Sequence, residues 1–346
     1  MNKNRIFLSG LLLGCASISF NALASDISTF IVNGSEVSSS ELSSTYPNFA
    51  SLYFDNGSVY GNRCGATIIN SEYILTAAHC FYENNNVMLH SYVAPKVRTS
   101  TDYVNGVVEK ARVEKYYYPD DYSDSDIDGY PNDIAILKLE TPLNVSDYSY
   151  LINTGVNDTY SLNMGSNNFI AIGHGYTQND SSKNPETVDT SLLLKTSLTI
   201  EPSSVCGSTD KQLCFDGARG AEYKNSTCNG DSGGPIYWWD GAKYVQIGLT
   251  SYGPATCGNS LASYTSVFTE VYDYQSWISS VTSGLETPKY YVQTSNGVRT
   301  LIRNSDSSVV GTDGTAASTS GSSGGAFGWL TLFVMPFLFG ARRKFT

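Results

Sequence analysis

Cys228-Asn229-Gly230-Asp231-Ser232-Gly233-Gly234-Pro235 is the stretch on which the reading of this chain turns. A serine set among glycines is, at its plainest, a tight turn. It is also what a nucleophile needs, because glycine lets backbone approach a substrate with no side chain in the way. Serine attacks poorly until a base takes its proton, and the base needs a third group to orient it. Moving outward, Thr76-Ala77-Ala78-His79-Cys80 offers a base and Asn132-Asp133-Ile134-Ala135 offers a carboxylate. Singly, each has an ordinary reading: His79 as a partly buried histidine, Asp133 as a turn residue with Asp126 and Asp128 as competitors. All three ordinary readings must hold at once to defeat the chemical one.

In that order and at those separations, the three segments resemble the signatures of the chymotrypsin/trypsin family of serine endopeptidases, from residue 31 to about 283. The resemblance implies an all-β fold of two six-stranded antiparallel β-barrels with a C-terminal helix. It implies that Ser232 attacks the scissile carbonyl, His79 relays the proton and Asp133 holds the imidazole. The backbone N–H groups of Gly230 and Ser232 match the family's oxyanion hole. The same resemblance pairs Cys64 with Cys80, Cys206 with Cys214 and Cys228 with Cys257; six cysteines alone allow fifteen pairings. A surface-tethered binding module on the same scaffold is the rival reading, although such scaffolds usually lose a triad residue.

Ile31-Val32-Asn33-Gly34 looks like the family's mature N-terminus, so cleavage after Phe30 would free an ammonium on Ile31 to pair with Asp231. Asp231 is then structural rather than catalytic. The resemblance implies that Ser226, six before the nucleophile, lies at the base of the specificity pocket, and it carries no charge. Gly253 leaves the pocket mouth open, and Ser251-Tyr252-Gly253 matches the strand that binds substrate backbone. Ser266 replaces a wall glycine and narrows or polarises the interior. The expected preference is for apolar residues, chymotrypsin-like to elastase-like. His174, between Gly173 and Gly175, is read as structural.

Both ends read as processing signals. Lys3 and Arg5, an apolar run from Ile6 to Phe20, and Ala22-Leu23-Ala24 spell a signal peptide over 1–24, leaving a propeptide over 25–30. Leu12-Leu13-Gly14-Cys15 is a weaker, lipoprotein-like alternative. Residues 326–346 are an apolar run broken by Pro336 and closed by Arg342-Arg343-Lys344. With Gly324-Gly325 upstream, they resemble the GlyGly-CTERM sorting tails of Gram-negative bacteria. Removal by a sorting protease after transient membrane anchoring is expected, with a plain anchor as the alternative. The protein is therefore expected outside the cell or at its surface. Once Cys15 leaves with the signal, six of the seven cysteines remain, as suits disulfides in an oxidising compartment.

Formal net charge is −11, which disfavours nucleic acid and anionic membrane as partners and leaves proteins or peptides as substrates. Three histidines make a His-rich metal site a poor expectation, and no cofactor is expected. The acidic run Asp120–Asp128 lacks EF-hand spacing and reads as a solvated loop rather than a calcium site. Between the ends, short β-branched and aromatic runs punctuated by Gly, Asn, Asp and Pro fill 31–285. Val271, Tyr274, Trp277, Ile278 and Val281 recur at helical spacing. Runs 290–294 and 298–303 flank Asn296-Gly297, a hairpin signal within an extension over 286–303. Residues 304–325 read as a Ser/Gly-rich linker.

Overall fold

The computed structural model describes residues 31–145, 159–160, 168–176 and 192–313, and the backbone of 343–344. Residues 1–30, read above as signal peptide and propeptide with Phe30, and those read as linker and tail beyond 313, apart from 343–344, lie outside the described residues. Among the described residues no helix is long and apolar enough to cross a membrane.

Strands β1 (Ser35–Glu36), β2 (Phe49–Asp55), β3 (Tyr60–Ile68), β4 (Tyr73–Thr76), β5 (Ser91–Pro95), β6 (Ala111–Tyr117) and β7 (Ala135–Leu139) occupy the first half. The second half holds β8 (Phe169–Gly173), β9 (Leu194–Glu201), β10 (Gln212–Gly217), β11 (Pro235–Trp239), β12 (Tyr244–Gly253) and β13 (Ser266–Glu270). Then come a helix over Gln275–Thr282 and strands β14 (Tyr290–Ser295), β15 (Val298–Arg303), β16 (Val309–Thr312) and β17 (Arg343–Lys344). The order β5-β2-β3-β4-β7-β6 closes through β5–β6, and β9-β10-β13-β12-β11-β8 closes through β8–β9. Two closed six-stranded antiparallel barrels result, as the resemblance implied, and closure pairs each strand with two neighbours over most of its length.

Period-two alternation fills both cores. In β9, Leu194, Thr196, Leu198 and Ile200 are buried while the residues between them are half-exposed. Ala50, Leu52, Ile68, Ile74, Val93, Val113 and Leu137 fill the first barrel. Phe169, Phe215 and Phe268 fill the second, with ring centroids 5.2 and 5.3 Å apart. The same alternation joins the barrels. Ile74 and Leu137 point into the first core, whereas their neighbours Leu75 and Ile136 pack with the second. Strands β4 and β7 thus form the seam, and they deliver His79 and Asp133 to it.

The hairpin β14–β15 turns at Asn296-Gly297, whose φ values of 52° and 79° are the left-handed pair that such a two-residue turn requires. Strand β14 pairs with β6, so the hairpin extends the first sheet. The reading of 304–325 as linker needs correction at its start, because Val309–Thr312 forms β16 against β15. Two adjacent valines suit a strand, and Asn85 Nδ2 fixes it by donating to Val310 O at 2.8 Å. Arg299, on β15, is almost wholly buried. Its Nε donates to Leu89 O (3.0 Å), Nη2 to Val113 O (3.1 Å) and Nη1 to Glu140.

Candidate active site

His79 follows β4 directly, on a single 3-10 turn over Ala78–Cys80. The Cys64–Cys80 disulfide holds that turn against β3. Beside it, Thr76 Oγ1 donates to Gly65 O (2.9 Å), and Gly65 N donates to Ser232 O (2.8 Å). The serine loop is pressed on the histidine loop so closely that a Cβ on Gly233 would lie 2.1 Å from Thr76 Oγ1. Glycine at 233, with φ of 68°, is required for both space and backbone. Ser232 is completely buried, and its Oγ has no hydrogen-bond partner among the described residues.

Asp133 is wholly buried and faces His79 twice. Its Oδ2 lies 2.7 Å from His79 Nδ1, and its Oδ1 accepts from His79 N at 3.0 Å. Ser251 Oγ donates to Oδ2 at 2.6 Å, and Thr269 Oγ1 donates to the Asp133 carbonyl at 2.8 Å. Burial pushes the carboxyl up, but the histidine charge and these bonds outweigh it and hold Asp133 below the usual carboxylate range. The rival carboxylates Asp126 and Asp128 are exposed on the surface loop. Asn132, just before Asp133, is held at φ of 56° by Tyr274 OH donating to its Oδ1 (2.7 Å) and by its Nδ2 donating to Asp121 O (3.1 Å).

Around Ser232 the backbone donors divide. Asp231 N donates to Cys228 O, Gly233 N to Thr250 O and Gly234 N to Asp231 O, at 2.8–3.0 Å. The N–H groups of Gly230 and Ser232 have no acceptor among the described residues. Gly230 sits at φ of 96°, which a residue with a Cβ rarely adopts. Asp231 is buried, accepting from Gly175 N (2.7 Å) and Cys228 N (2.9 Å), and no cation pairs with it among the described residues. Burial raises its pKa to about 7 despite those two bonds. Ile31, also buried, donates its peptide N–H to Gly175 O (3.1 Å), and Val32 pairs with Ser226.

Ser226, Ser266, Ser251, Tyr252 and Gly253 gather on the same side of the second barrel, all buried. Ser226 Oγ donates to Thr227 O (2.6 Å) and to Thr265 O (3.2 Å), so its hydroxyl is turned onto backbone. Ser266 Oγ lies 2.8 Å from Thr227 Oγ1 and accepts from Thr227 N. Thr227 was not singled out in the sequence, although it stands between Ser226 and Cys228. Its hydroxyl completes a neutral polar cluster. Ser251 has a second place as well, since its hydroxyl serves the Asp133 carboxylate. Disulfides Cys206–Cys214 and Cys228–Cys257 join the first pair, as the resemblance chose. Cys64, His79 and Cys80 lie together, but the disulfide leaves no thiolate to bind a metal.

Paired barrels with a carboxylate-held histidine and a glycine-framed serine at their seam define the class of serine endopeptidases. The chain belongs to the trypsin family, whose profile (Trypsin) matches residues 31–278. It is similar to melanization protease 1 of Drosophila melanogaster, 30% identical over 72% of this chain, and spans 64% of that protein. It is 30% identical to chymotrypsin-like elastase family member 1 of Felis catus, over 68% of this chain and 85% of the relative. A chymotrypsin-like serine proteinase of Haliotis rufescens is 27% identical over 76% of this chain and 95% of its own.

Proposed function

We propose that this chain hydrolyses peptide bonds through an acyl-enzyme, with Ser232 as nucleophile, His79 as general base and then acid, and Asp133 as its orienting carboxylate. The observation that carries the reading is the Asp133 carboxylate gripping both Nδ1 and the backbone N–H of His79. That grip fixes the tautomer with Nε2 available to a hydroxyl and stabilises the imidazolium. The free N–H groups of Gly230 and Ser232 are the donors for the oxyanion. Specificity follows from the hydroxyls of Ser226, Thr227 and Ser266, which satisfy one another and backbone and so present no charge to a Lys or Arg. The pocket then takes an apolar side chain, and the likeness to a chymotrypsin-like elastase and a chymotrypsin-like serine proteinase accords with this.

The chain is made as a zymogen. Cutting between Phe30 and Ile31 turns the Ile31 nitrogen into an ammonium linked to Asp231 through Gly175, whose O it reaches and whose N–H the carboxylate accepts. Phe30 is itself apolar, so the enzyme, or a relative of like preference, is the processing agent. Export, sorting-tail removal near Gly325 and release at the surface of a Gram-negative cell complete the reading. Intact mass of exported protein checks it: a C-terminus near Gly325 supports sorting, and Thr346 overturns it.

The central test is Ser232→Ala in the cut form. Peptidase activity should fall by about 10⁶-fold, as for nucleophile loss in related triads, with an unchanged Tm. A serine-directed fluorophosphonate should label Ser232 alone. Hydrolysis by the folded variant at the parent rate, or labelling elsewhere, would falsify the assignment.

A further inference from the structure

Strand β12 is paired unevenly along its length. On one side β13 accompanies it from Gly248 to Tyr252; on the other, β11 stops where Pro235 meets Leu249. Proline has no N–H with which to continue a ladder. Thr250 is then satisfied by Gly233 and Gly234, leaving Ser251–Gly253 as a short edge that β11 does not cover, before Pro254. Such an edge is a template for another strand. In this structure the chain itself supplies one: β17 pairs antiparallel, with Lys344 opposite Tyr252 and Arg343 opposite Gly253. Ser232, Ser251 and Tyr252 are all completely out of contact with solvent.

We propose that the β12 edge at Ser251–Gly253 is a docking site for the chain's own Arg343–Lys344 strand, so that the terminus competes with substrate for the cleft. The proposal rests on the peptidase reading above, in which Ser251–Gly253 takes substrate as an added strand. The occupant is recognised through main chain, as a substrate strand would be, so the identity of its side chains matters little. A tethered strand faces its site at millimolar effective concentration, enough for a weak two-residue pairing to compete with free peptide. Where the apolar run is not seated in a membrane, removing the tail would then open the cleft.

The test compares detergent-solubilised protein, cut before Ile31, with the same protein lacking residues 343–346. Removal should lower KM for an apolar peptide substrate about tenfold and leave kcat unchanged. Hydrogen exchange over Ser251–Gly253 should be slower in the full chain than in the shortened one. Arg343→Pro/Lys344→Pro should behave like the deletion, and Arg343→Ala/Lys344→Ala like the parent. Equal KM and equal exchange in the full and shortened forms would overturn the proposal, as would release by alanine but not by proline. If neither form hydrolyses peptide or takes the fluorophosphonate, the peptidase reading fails. The exchange difference still decides whether the strand docks.

Discussion

Arg299, on the strands that clad the first barrel, and Asp231, beside Ser232 in the second, are both shut away from water, yet their surroundings differ. The guanidinium has a partner on each nitrogen: Leu89 O, Val113 O and the Glu140 carboxylate. The Asp231 carboxylate has two N–H donors and no cation among the described residues, and its pKa rises to about 7. A buried charge is tolerable when paired and costly when not. The first is therefore a finished structural joint. The second is an unfinished one, and the space around it is already fixed. A Cβ on Gly173 or Gly175 would fall 2.1 or 2.4 Å from the carboxylate.

The largest effect is expected where the unfinished joint is removed. In protein cut before Ile31, Asp231→Asn should lower kcat/KM by about 10²–10³-fold, the scale of a lost oxyanion donor, because nothing then orders the Gly230 N–H. Uncut parent protein should show the charge through pH. The folded pKa near 7 lies above the ordinary 3.8, so its contribution to stability is full below about 3.8 and is lost as pH rises through 7. Cutting should abolish that decline. Equal declines in Tm between pH 4 and 7 before and after cutting would dissolve the contrast with Arg299.

Breaking the finished joint should act on stability alone. Arg299→Met leaves two carbonyls and a carboxylate without their donor and should cost about 3 kcal/mol. That is the low end for a broken buried pair, because the Glu140 side chain keeps 29% of its exposure to water. Denaturant titration measures this. Activity per folded molecule should stay within about twofold at temperatures well below Tm, and a larger kinetic loss would mean the cladding positions the site.

The same contrast explains what could be read from the sequence. The proposed triad could be picked out because such chemistry demands particular residue types in short glycine- and alanine-rich frames, as at Ser232 and His79. The hairpin was legible because Asn296-Gly297 states its turn locally. Arg299 was not, since an arginine in an alternating strand looks like an ordinary solvent-facing residue until β6 and residues 85–89 close over it. Strand β16 was lost in a polar stretch where only Val309 and Val310 favour pairing. Thr227 was hidden for a related reason, because its hydroxyl meets that of Ser266, 39 residues on, only in the folded chain. Thr269, which holds the Asp133 carbonyl, is likewise a product of tertiary structure.

His174 sharpens the comparison at a smaller scale, because it is a buried ionisable group that the fold keeps uncharged. It lies between the two glycines that wall Asp231, with Ser51 Oγ 3.4 Å from Nδ1 and the Phe49 ring centroid 5.8 Å away. Burial drives its pKa down to about 4, only partly opposed by a hydrogen bond with the Arg98 backbone and by the Asp102 charge. The ordinary value is 6.5, so the native state binds fewer protons than the unfolded chain between pH 4 and 6.5. Stability from this group is full above 6.5 and is lost as pH falls toward 4. His174→Phe keeps an aromatic ring beside Phe49 and removes the titration. The Tm of the variant minus that of the parent should grow as pH drops from 6.5 to 4, reaching a few degrees, or on the order of 1–2 kcal/mol. Taking the difference cancels the carboxylates that titrate in both proteins. A Tm difference that stays flat across that range would show that His174 gains its proton without strain. The neutral environment assigned to the Asp231 walls would then be wrong.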